Sequence, residues 1–95
     1  MEHFNQLTPP EAERLAILLE ELGEAQQAIG KILRHGYEST HPDGGPTNRE
    51  TLQREVGDVH YAIMRLCESG DLDELTILQW QAHKAEKIEQ YLHHK

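Results

Sequence analysis

The chain has 95 residues and carries 17 Asp and Glu against nine Lys and Arg, a formal net charge of −8. One domain is expected at this length, and so small a core needs reinforcement by self-association or by bound metal. The negative balance argues against nucleic acid or an anionic membrane as partner, and no stretch approaches the roughly 18 apolar residues that span a bilayer. The single Cys67 excludes an internal disulfide, fits a reducing cytoplasm and reads as a small buried apolar side chain.

The opening "MEHFNQLTPPE" is acidic and lacks the apolar run of a signal peptide. Residues 1–7 read as an arm, with Phe4 and Leu7 available to pack. At "TPPE" a helix begins: Thr8 is the N-cap, prolines occupy the first turn, and Glu11 completes a capping box. The pattern runs to about Arg34 and stops at Gly36. The stretch "GYESTHPDGGPT", residues 36–47, carries glycine, proline and Asp-Gly turn signals and is a loop. A second helix opens at "TNRE", where Thr47 and Glu50 repeat the capping box, and ends near Ser69 and Gly70. A third opens at "DLDE", with Asp71 or Asp73 as cap, and continues to about Leu92. No strand pattern competes, so the fold class is all-α.

Each helix has an apolar stripe at three-four spacing. It comprises Leu15, Leu18, Leu22, Ala25, Ile29 and Leu33 on the first, Leu52, Val56, Val59, Ile63 and Leu66 on the second, and Leu75, Leu78, Ala82, Ala85 and Leu92 on the third. All are expected in the core.

Two acid pairs stand out against these stripes, each enclosing a glycine: Glu21 and Glu24 around Gly23, Glu55 and Asp58 around Gly57. At about 100° per residue, Glu21 and Glu24 lie roughly 90° and 150° from their stripe centre, and Glu55 and Asp58 roughly 65° and 125° from theirs, in the same sense. A loop of about a dozen residues favours antiparallel neighbours. In that arrangement equal offsets fall on one edge, so the four carboxylates converge. Such a cluster either takes up protons or holds cations, and all-carboxylate sites select hard ions, Mg²⁺ or Mn²⁺. A glycine inside each pair costs about 1 kcal/mol of helix stability relative to alanine, which suggests close approach of a helix or ligand. Glu20 points outward. The seven histidines show no ligand spacing on helices, and the one Glu-x-x-His, Glu38 to His41, lies in the loop.

"EELGE" (Glu20 to Glu24) followed by "EVGD" (Glu55 to Asp58) resembles the EExxE…ExxD signature of the MazG-like all-α nucleoside triphosphate pyrophosphohydrolases. The stretch "LRHGYESTHPDGGPTNRE" is similar to the compact, phage-type members of that family. The resemblance implies a four-helix-type bundle of antiparallel helices completed by oligomerisation, as a homodimer or homotetramer. It implies Mg²⁺-dependent cleavage of a (deoxy)nucleoside triphosphate to monophosphate and pyrophosphate, by metal-assisted attack of water on the α-phosphorus. Glu21, Glu24, Glu55 and Asp58 would be the catalytic metal ligands and Glu20 an accessory acid. The location would be cytoplasmic, the host's cytoplasm for a phage-encoded chain, and purine deoxynucleotides the first substrates to try. The family's last helix ends with spaced lysines, an asparagine and an Arg-Tyr pair; here Lys84, Lys87 and Tyr91 are kept, while Ile88 and Gln90 depart from it.

Further candidates for substrate contact are Lys31 and Arg34, on the flank of Glu24, and Trp80, Lys84, Lys87 and Tyr91, on the third helix away from its apolar stripe. Tyr61 and Asn48 complete the set. Each also has a plain structural reading, as a solvated helix end or a subunit contact with snorkelling lysines. The rival functions are phosphoribosyl-ATP pyrophosphohydrolysis, a non-enzymatic helical oligomer, and a metal-binding module without turnover.

Overall fold

The computed structural model describes residues 4–94. The chain forms helix α1 (Pro9–His35), helix α2 (Asn48–Glu68), helix α3 (Glu74–Ile88) and one 3₁₀ turn (Glu89–Tyr91), with no strand among the described residues. The all-α expectation holds. Of the arm expected over residues 1–7, residues 1–3 lie outside the described part; Phe4 is 90% exposed and Leu7 half-buried.

The helix ends follow local chemistry. The Thr8 hydroxyl accepts from the Glu11 N–H at 3.3 Å, and the Glu11 carboxylate accepts from the Thr8 N–H at 2.8 Å, a complete capping box. Gly36 ends α1 with φ 89°, a left-handed value that favours glycine, and its N–H donates to the Ile32 carbonyl at 2.7 Å. The Thr47 hydroxyl caps α2 by accepting from the Glu50 N–H at 3.1 Å, but the Glu50 carboxylate does not return the bond, so the expected second capping box is half formed. Asp73, and not Asp71, caps α3, accepting from the Thr76 N–H at 2.9 Å. The α-helical part of α3 ends at Ile88, short of the expected Leu92, because residues 89–91 tighten into a 3₁₀ turn.

The packed unit is the α1–α2 pair. Both ends fix it as antiparallel. At the loop end, Asn48 Nδ2 donates to the Gly36 carbonyl at 3.0 Å. At the far end, the Arg14 guanidinium grips Asp71 just beyond α2, through Nε at 2.6 Å and Nη2 at 3.0 Å. The pair excludes solvent from part of this bridge, and the Asp71 carboxyl is lowered from its ordinary value, chiefly through the hydrogen bond from Arg14.

The seam between α1 and α2 departs from the expected stripes. Its buried residues are Ala28, Ala62 and Leu66. Leu18, Glu21, Ala25 and Ile32 of α1, and Thr51, Leu52, Glu55 and Val59 of α2, are half-buried. Relative to the apolar stripe centres, the seam is rotated roughly 70° round α1 and 50° round α2, in both cases towards the carboxylates. The small residues Ala25, Ala28 and Ala62 allow close backbone approach, so the helices meet there. Leu15, Leu22, Ile29, Leu33 and Val56, expected in the core, are exposed on the opposite edge. On α3, Leu75, Leu78, Ala82, Ala85 and also Leu92 are exposed, because the helix makes only slight contact with the α1–α2 pair. Cys67 is half-buried.

Candidate metal centre

Glu21 and Glu24 stand one turn apart on α1, and Glu55 and Asp58 one turn apart on α2. Because the helices are antiparallel and joined by a short loop, the two pairs fall at one level. One carboxylate oxygen from each of the four lies within 4.8 Å of the other three. The inner members, Glu21 and Glu55, are half-buried in the seam; the outer ones, Glu24 and Asp58, are exposed at its edge. Glu20 is exposed on the outer side of α1, as its helical phase requires.

Electrostatics disfavour four ionised carboxylates at one place. Oε2 of Glu21 and Oε2 of Glu55 are buried without a hydrogen-bond partner. Such orphaned acceptors are uncommon in folded proteins and call for a partner. Burial, then the charges of Glu24, Asp58, Glu20 and Glu55, push the Glu21 carboxyl above its ordinary value. Glu55 is raised first by burial, then by the close contact and charge of Glu24 and by the charge of Asp58, with Arg54 pulling weakly the other way. An all-oxygen donor set with inner oxygens lacking any proton donor is chemically suited to a hard divalent cation.

Beside the two intervening glycines there is open space among the described residues. A Cβ built on Gly23 or Gly57 would meet nothing within 4 Å. The close approach expected there is therefore not made by this chain's own helices.

The remaining candidates divide by position. Lys31 and Arg34 line a cavity of ≈ 500 Å³ at the loop end of the pair, together with Asn48. Asn48 has a structural duty as well, pinning the loop to the end of α1. The Tyr61 hydroxyl accepts from Arg65 at 3.2 Å, and the ring is exposed. Trp80, Lys84, Lys87 and Tyr91 are exposed on α3 and the 3₁₀ turn, and the fold of one chain does not bring them to the carboxylates. Trp80 instead stacks edge-on with His83, centroids 5.4 Å apart. His35, His41 and Thr51, which sequence reasoning passed over, also line the loop-end cavity. The helical phase of His35 with Lys31, and of Thr51 with Asp58, was the available signal.

Comparison of the chain with family models, with curated proteins and with solved structures finds no match. No helix among the described residues is long and apolar enough to cross a membrane.

Proposed function

We propose that this protein is a divalent-metal-dependent nucleoside triphosphate pyrophosphohydrolase of MazG-like type, acting on a (deoxy)nucleoside triphosphate, with purine deoxynucleotides the first candidates. The observation that carries the reading is the meeting of Glu21, Glu24, Glu55 and Asp58 within 4.8 Å, with two inner oxygens lacking any donor. These four residues would hold Mg²⁺, or Mn²⁺ in its place. The ion supplies Lewis-acid stabilisation of phosphoryl charge and a nucleophilic water at neutral pH. The chain's own residues do the rest. Glu21 and Glu55 fix the inner ligand positions from the helix seam, and Glu24 and Asp58 close the outer side. A carboxylate of the cluster, Glu24 or Glu21, is placed to take the proton of the attacking water. An acidic protein thereby acts on an anionic substrate, because bound cations invert the local field.

The same reading includes self-association as a homodimer or homotetramer. Its support is surface: the chain exposes 8012 Å², against about 5,600 Å² for a compact monomer of its mass. The excess is of the order that a stable subunit interface removes from solvent. The same excess also favours the rival reading of a non-enzymatic helical oligomer, so a direct assay has to separate the two.

That assay is incubation of the purified protein with a nucleotide panel, phosphoribosyl-ATP included, in Mg²⁺, followed by chromatography of products. Monophosphate and pyrophosphate in equal amounts are expected from a nucleoside triphosphate. Release of orthophosphate, or no turnover of any compound, overturns the proposal, and turnover confined to phosphoribosyl-ATP replaces the substrate.

A further inference from the structure

The carboxylate edge of the α1–α2 pair continues towards the loop, and its charge reverses there. Lys31 repeats the helical phase of Glu24 seven residues later, about 10 Å along the axis, and His35 follows one turn on. These two and Arg34 form one wall of the ≈ 500 Å³ cavity; Asn48 and Thr51 of α2 line the other side, and His41 reaches it from the loop. Thr51 precedes Glu55 by one turn, so cavity and carboxylates are successive stations on one edge.

Three observations give the cavity a chemical character. First, neither Lys31 nor Arg34 has a carboxylate within ion-pair distance among the described residues, in a chain whose acids outnumber Lys and Arg 17 to nine. Second, the cation of the neighbouring turn is neutralised: Arg49 Nε donates to Glu38 at 2.7 Å, and its guanidinium lies 4.2 Å from the Tyr37 ring centre. Third, the loop is tied down. The N–H groups of Asn48 and Arg49 donate to the carbonyls of Ser39 and Tyr37, each at 2.9 Å. Those bonds occupy the opening amides of α2, so an anion at this place is met by side chains and not by the helix terminus.

We infer that this cavity seats the terminal phosphoryl groups of a polyphosphate ligand, held by Lys31 and Arg34, while the carboxylate centre addresses the phosphate nearer the nucleoside. The ligand's identity as a nucleotide rests on the pyrophosphohydrolase reading; anion binding at Lys31 and Arg34 does not. The nucleoside then lies beyond the carboxylates, towards the Arg14–Asp71 end of the pair, and the departing pyrophosphate leaves at the loop end.

The test is calorimetric titration of the full chain with inorganic pyrophosphate in EDTA at low ionic strength. Saturable binding is expected, weakened about tenfold or more in the Lys31→Ala/Arg34→Ala variant, since hydrogen bonds to charged groups are each of that order. Both side chains are exposed, so the variant keeps its fold, checked by circular dichroism. Glu21→Gln/Asp58→Asn, which disables the metal centre, retains metal-free pyrophosphate binding. No saturable binding to the unaltered chain, or equal affinity in the double alanine variant, overturns the inference. If pyrophosphate binds as described but no nucleotide is turned over, the anion seat stands and the enzymatic reading falls. Turnover without metal-free binding does the reverse.

Discussion

Glu21 and Glu55 are half-buried, each with one shielded oxygen that has no hydrogen-bond partner, and this makes them sensitive reporters. Glu21→Gln removes one of the four proposed ligands. It is expected to abolish the rise in melting temperature produced by Mg²⁺ and to lower turnover roughly 100-fold or more; an unchanged Mg²⁺ shift in calorimetry would count against Glu21 as a ligand. The pH dependence has a definite sign. Both carboxyls are raised above the ordinary glutamate value of 4.5 in the folded chain. Their contribution to stability is therefore fully present below pH 4.5 and lost as pH rises through the raised values. In EDTA the melting temperature should fall on going from about pH 4.5 towards neutrality, and Glu21→Gln/Glu55→Gln should flatten that fall. Asp71 and Asp73 act in a separate window. Held below the ordinary aspartate value of 3.8 by hydrogen bonds from Arg14 and Thr76, they stabilise the fold above 3.8 and release that stability as pH drops through their lowered values.

Helix boundaries are set by short-range chemistry, and so could be read directly from residues. Thr8, Glu11, Gly36 and Thr47 sit where capping rules put them, and Thr8→Ala should cost about 1 kcal/mol in denaturant unfolding. The convergence of two acid pairs was legible for the same reason, since it needs only the helical repeat and a short connection. Less legible was which part of a broad apolar stripe faces its neighbour. Leu15, Leu22 and Ile29 have the same periodicity as Leu18 and Ala25, and hydrophobicity alone does not rank them. Contact went to the side of the stripe holding Leu18 and Ala25, and to Ala28 just beyond it, and this drew Glu21 and Glu55 deeper than their expected offsets. The role of Asp71 was likewise hidden, because its partner Arg14 lies 57 residues away. Gly57 offers a contrast: with open space at its missing side chain, Gly57→Ala should stabilise α2 by about 1 kcal/mol. A loss of stability in the same melt would reveal a neighbour from another subunit.

As a whole, the chain is extended. Its radius of gyration is 17.0 Å, where about 12 Å describes a compact domain of this length. Among the described residues only Ala28, Ala62 and Leu66 are buried, and on α3 none is, Ile77 being half-buried. The α1–α2 pair thus has one edge of carboxylates and one edge of aliphatic side chains, led by Leu15, Leu22, Ile29 and Val56. Sedimentation of the purified protein is expected to show a dimer or tetramer. Leu22→Asp/Val56→Asp should shift it to monomer and lower its melting temperature; an unshifted sedimentation coefficient would move the interface elsewhere.

The stitched turn between α1 and α2 also sets an order of events during folding. Its ties, Asn48 to Ser39 and Gly36 and Arg49 to Tyr37, close rings of only about a dozen residues, which costs little chain entropy. On loop-closure entropy alone, zipping is expected to start at that end and proceed outward. The like-charged rungs must be brought together midway, before the Arg14–Asp71 clasp shuts the open end. If the four carboxylates hold a divalent ion as proposed, that ion present during refolding is expected to speed the middle stage, and refolding rates with Mg²⁺ and with EDTA, compared by stopped-flow, check this.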